Sequence, residues 1–106
     1  MARTLTASEA LSWYFKRRPA FVKDICSCVS LARVSYGENR KIHARYALDA
    51  MADPIRVNAF LLQHADALAL DTTTREALEN DATAMHAFAE RMKSYLADPW
   101  LPHFSS

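Results

Sequence analysis

The chain has a single glycine, Gly37, in 106 residues. An all-β fold needs a turn every ~8–12 residues and glycine to make many of them, so that class is excluded. No run of roughly 18 apolar residues occurs, so no segment reads as a membrane-spanning helix. The start, Met-Ala-Arg-Thr, leads into an amphipathic stretch without the apolar centre of a signal peptide, and a cytoplasmic protein is the expectation. Cysteine is scarce as well. Cys26 and Cys28 stand two apart, which on a helix points them in nearly opposite directions, so they are expected to be small buried hydrophobes without a shared metal or disulfide. No H-E-x-x-H, P-loop or nucleophile signature occurs. His43, His64, His86 and His103 are each isolated in sequence, and Glu76, Glu79 and Asp81 read as negative charge favouring a helix start. The sequence therefore predicts no catalytic residues, metal or cofactor.

Half of the residues are apolar and about a quarter are charged, which suits one small folded domain covering 1–106, with an apolar tail at 98–106. The charges are sorted. Residues 1–48 hold nine Lys/Arg against three Asp/Glu, and residues 49–106 hold four against nine, for a total of +1. A basic half joined to an acidic half points to a charged partner or to a second copy of the chain.

Local signals predict an all-α, compact bundle of about five helices, the longest at the C-terminal end. Thr6-Ala-Ser-Glu9 reads as a capping box for a helix over about 7–17, with Leu11 and Tyr14, and Ala7 and Ala10, inward. Arg18-Pro19 reads as a break, and a second helix follows over about 19–35, with a strand at 25–34 as the alternative. Tyr36-Gly37-Glu38-Asn39 is a turn in which Gly37 suits a left-handed cap. A third helix, about 39–52, has Ile42, Tyr46, Ala47, Ala50 and Met51 on its inner face. Asp53-Pro54 reads as the start of a fourth, about 54–69, with Val57, Phe60, Leu61, His64 and Leu68 inward. Thr73 with Glu76 predicts a capping box for a fifth, about 74–97, in which Leu78, Met85 and Met92 repeat every seven residues beside Ala82, Ala89 and Leu96.

Two surfaces follow. The heptad seam and tail, Leu78, Met85, Met92, Leu96, Trp100, Leu101 and Phe104, form the expected partner-binding surface, because methionine repacks readily and aromatic side chains are costly to leave in water. Arg17, Arg18, Arg40, Lys41 and Arg45 form the expected electrostatic patch. Arg40, Lys41 and Arg45 open a helix, where positive charge is mildly unfavourable, so they call for another reason. A phosphate backbone is one, and the turn at Gly37 invites a helix-turn-helix reading. Arg33 stands where that motif wants a small residue, and Glu38 puts negative charge at the approaching helix. The first reading is therefore a non-enzymatic protein-interaction module that binds and inhibits or sequesters a protein partner. A small nucleic-acid-binding regulator using the basic half is the alternative. In size and helical character the chain resembles the small helical anti-activators of bacteria, which bind quorum-sensing transcription regulators. That resemblance implies a transcription regulator as partner and assigns no residue role. A homodimer is also expected, since a two-fold axis sets basic half against acidic half.

Overall fold

The computed structural model describes residues 6–101 and holds three helices, not five: α1 Ala7–Val34, α2 Gly37–Gln63 and α3 Thr72–Ala97. The two expected breaks at proline do not occur. Pro19 lies inside α1 and Pro54 inside α2. An interior proline removes one backbone hydrogen bond and crowds the preceding turn, at a cost of about 3 kcal/mol. Each helix continues because its buried stripe keeps phase across the proline. Ala10 and Tyr14 lead into Phe21, Ile25, Val29 and Ala32 in α1, and Ala47 and Met51 lead through Pro54 into Asn58 and Leu61 in α2. Burying one large apolar side chain contributes about 1.5–3 kcal/mol, so Phe21, Ile25 and Val29 beyond Pro19, and Leu61 with the partly buried Ile55 and Phe60 beyond Pro54, outweigh each break. The segment 25–34 is helical, and the strand alternative is overturned.

The helices form an open layer of 45 × 36 × 21 Å. α2 lies in the middle, packed against α1 on one flank and α3 on the other, whereas α1 and α3 scarcely touch. No helix among the described residues is long and apolar enough to cross a membrane.

Ends and turns follow local chemistry. The Thr6–Glu9 capping box forms as expected, with the Glu9 backbone N–H donating to the Thr6 hydroxyl at 3.2 Å. At α3 the cap is Asp71, not Thr73. Its carboxylate accepts from the Thr74 backbone N–H at 2.7 Å, and that bond holds the Asp71 carboxyl below its ordinary pKa. Between α1 and α2 there is a bare corner at Ser35 and Tyr36. Gly37 has a φ of +64°, as the glycine suggested, but it opens α2 instead of ending α1. The Trp100 indole lies over it, so close that a Cβ there would sit 3.2 Å from the ring.

The fourth expected helix stops early, because α2 ends at Gln63 and residues 64–69 form turns. There Leu70 N–H donates to Ala65 C=O at 3.1 Å and Ala69 N–H to Asp66 C=O at 3.0 Å. This pair of bonds is a Schellman closure whose left-handed position is usually glycine. Here it is Ala69, at φ +52°. A left-handed alanine costs about 1 kcal/mol. Ala69→Gly is therefore expected to stabilise the protein by about 0.5–1 kcal/mol, part of the gain being lost to the freer unfolded chain. The midpoint of urea unfolding measures it, and an unchanged or lower midpoint would contradict the strain assigned to this residue.

Candidate protein-binding groove

Because α1 and α3 flank α2 without closing on each other, a groove of about 150 Å³ opens between them. Its walls are Phe21, Val22, Ile25 and Cys26 from α1 and Ala84, Met85 and Phe88 from α3. Heptad spacing produces this lining: Arg18, Val22 and Ile25 step along one side of α1, as Asp81, Ala84 and Phe88 do along α3. Each wall is about two turns long, roughly 11 Å at 1.5 Å per residue.

One end is closed by a polar network joining all three helices. The Arg18 guanidinium grips the Asp81 carboxylate through two bonds, each of 2.7 Å. The Tyr14 hydroxyl donates to the same carboxylate at 2.8 Å and accepts from the Asn58 amide at 3.1 Å. The amide also donates to the Leu78 carbonyl at 2.8 Å. Burial pushes the Asp81 carboxyl up, but the Arg18 and Tyr14 hydrogen bonds and the Arg18 charge outweigh it, so the carboxyl titrates below its ordinary range. Burial, foremost, raises the Tyr14 hydroxyl well above the usual tyrosine value. The network therefore holds a charged carboxylate and a neutral phenol at neutral pH. It fixes the spacing of α1 and α3 where the groove begins.

A second polar centre ties the far end of the molecule. Arg40 is wholly buried, 0 % exposed. Its Nε and Nη2 donate to the carbonyls of Ala32 and Arg33 in the last turn of α1, at 2.8 and 3.0 Å. Its Nη1 donates to the Leu101 carbonyl at 2.6 Å and to the Pro99 carbonyl at 3.4 Å. The guanidinium lies between the rings of Tyr36 and Tyr95, 4.4 and 4.1 Å from their centroids. The end of α1 lacks partners for its last carbonyls and carries partial negative charge, and Arg40 answers both.

The predicted surfaces divide differently from the expectation. Leu78, Met85 and Met92 belong to the protein's own core, at 5 % exposure or less, where the heptad seam of α3 packs on α2. Of that set only Met85 also reaches the groove. Leu96 and Leu101 are partly buried against the core, and Trp100 is 71 % exposed, stacked on Tyr36. Phe104 and His103 lie outside the described residues. In the basic set, Arg17 and Arg45 are exposed, Arg18 holds Asp81, Lys41 pairs with Glu38 at 3.5 Å, and Arg40 is buried. These five cations do not form one patch. Ile42 and Tyr46, expected inward, are exposed, and Ala44 takes the buried position of that turn. Cys28 is half-buried, but Cys26 is exposed at the groove rim, which corrects its reading as a core residue. Phe21 and Val22, apolar positions of the expected second helix, belong to no predicted surface, and Phe88 and the Arg18–Asp81 pairing were not foreseen, because the partners lie more than sixty residues away. No family model, curated protein or solved structure matches this chain. Among the described residues no group of three His, Cys, Asp or Glu side chains is placed to hold a metal ion.

Proposed function

We propose that this chain is a non-enzymatic protein-interaction module that sequesters a partner by taking one of its amphipathic helices into the α1/α3 groove. The observation that carries the reading is the apolar lining of a groove about two turns long between α1 and α3, deep enough to take side chains from the apolar face of a docked helix. Helix-in-groove recognition uses anchors at i, i+3 or i+4 and i+7, which is the span of these walls. Arg91, one turn beyond Phe88 on α3, suits an acidic residue on the flank of the incoming helix. The resemblance to bacterial anti-activators extends the reading to a transcription regulator as the sequestered protein. The nucleic-acid alternative is weaker, since Arg40, central to it, is spent on backbone carbonyls.

The test selects binders from a displayed library of amphipathic helical peptides and maps them by amide chemical shifts. Selected peptides are expected to move Val22, Ala84 and Phe88, and Ala84→Arg, at an exposed wall position, is expected to weaken them at least tenfold. Tenfold corresponds to about 1.4 kcal/mol. Peptides that bind with these amides unmoved, or equally well to Ala84→Arg, would refute the groove as the receptor.

A further inference from the structure

A different face carries a second, independent surface. Of the seven exposed large hydrophobic residues among the described ones, all but Phe15 gather near one end: Leu31, Val34, Tyr36, Ile42, Tyr46 and Trp100. Ile42 and Tyr46, 41 and 58 % exposed, are one turn apart on the side of α2 opposite its buried stripe of Arg40, Ala44, Ala47 and Met51. This side faces neither α1 nor α3 squarely and is separate from the groove.

The charges along the same side change sign at its middle. Lys41 and Arg45 precede Ala47, and Asp49 and Asp53 follow it. Lys41 pairs with Glu38 and Asp53 with Arg56. Arg45 and Asp49, both exposed, make no ion pair among the described residues. A row that reads positive and then negative is complementary to itself when reversed. Beyond Asp49 a shallow hollow of about 200 Å³ lies between α1 and α2, with Trp13, Ala20 and Ala50 among its walls and Asp24, Asp49 and Asp53 around it.

We infer that a second copy of this chain packs its own α2 antiparallel against this face, about a two-fold axis at the level of Ala47. In that arrangement residues two positions either side of Ala47 face each other, so each Arg45 meets the other copy's Asp49, and each Lys41 lies beside the other copy's Asp53. Each Tyr46 comes within one helical turn of the other copy's hollow, and the two Ile42 side chains cover the apolar ground beside it. A two-fold axis makes every contact twice, so one complementary pair contributes two ion pairs to the interface.

Sedimentation velocity across about 1–100 μM tests the inference, with concentrations chosen to bracket micromolar association. The wild-type chain is expected to shift from monomer to dimer. Arg45→Asp and Asp49→Arg, each placing like charges opposite each other twice, are each expected to weaken the dimer at least tenfold. The double variant Arg45→Asp/Asp49→Arg is expected to recover to within about threefold of wild type, since the reversed pair is complementary again. Tyr46→Glu is expected to leave a monomer. All of these residues are exposed, and far-ultraviolet circular dichroism is expected to show unchanged helix. Ala84→Arg is expected to leave the dimer intact, which separates this face from the groove. A wild-type chain that stays monomeric, a double variant no better than the singles, or a dimer broken by Ala84→Arg would overturn the inference.

Discussion

Replacing Arg40 with alanine is expected to destabilise the protein by about 3–4 kcal/mol, a large part of the 5–15 kcal/mol typical of a small domain. The loss has three sources. The carbonyls of Ala32, Arg33 and Leu101 lose a donor in a buried or part-buried setting, and that of Pro99 keeps only the Gly37 N–H. The rings of Tyr36 and Tyr95 lose the cation between them. The volume of a wholly buried side chain is left empty. Two controls separate these sources. Arg40→Met restores much of the volume but no donors, and is expected to recover less than half of the loss. Arg40→Lys restores the charge but not the planar fork that serves four acceptors, and is expected to cost about 2 kcal/mol. Chemical denaturation of the three variants checks the order. If Arg40→Met matched wild type, the carbonyls would need no donor and the residue would be only a spacer.

The second large effect is expected at Asp81. Asp81→Ala removes the acceptor of the Tyr14 hydroxyl and of the bidentate Arg18 contact, and is expected to cost about 2–3 kcal/mol at pH 7. The figure stays at the low end for charge-assisted bonds because the Arg18 side chain is 41 % exposed and water screens the pair. The pH dependence gives a signature. The folded-state carboxyl titrates below its ordinary value, so its stabilisation is complete above the unfolded value near ~4 and fades as pH falls through the depressed value. Unfolding measured from pH 7 downward is therefore expected to show wild type and Asp81→Ala converging in acid. A gap that stayed constant to low pH would mean that the charge of Asp81 contributes nothing.

Both residues mark where the sequence was legible and where it was not. The all-helical class, the Thr6 cap, the position of α3 and the inward Ala10 and Tyr14 follow from local signals that act within one or two turns. The helix count did not, because Pro19 and Pro54 are strong local stop signals and only the unbroken phase of the buried stripe contradicts them. In α2 that stripe is disguised. Arg40 and Asn58 occupy core positions and Pro54 sits between, so an apolar pattern assigns Ile42 and Tyr46 to the inner face when they lie outside. A polar side chain can take a core position only when distant groups satisfy it. Arg40 finds Pro99 and Leu101, and Asn58 finds Tyr14 and Leu78, none of which is adjacent in sequence. The groove is illegible for the same reason. It arises from how far apart α1 and α3 are held, and that distance belongs to no single segment.

The bond between Arg40 and residues 99 and 101 also sets an order in time. The carbonyls that Arg40 joins lie 59 and 61 positions further along the chain. Gly37 N–H likewise donates to the Pro99 carbonyl. As the chain leaves the ribosome, α1 and α2 can form and pair while their corner is still without its cover. The Arg40 guanidinium then has only the two carbonyls of α1, and the ring of Tyr95 has yet to be synthesised. Closure waits for the last turn of α3 and the four residues after it, so a nascent chain that has released only its first two helices is an open hairpin with a half-satisfied buried charge. The segment that locks the corner where the first two helices meet is made only after both of them.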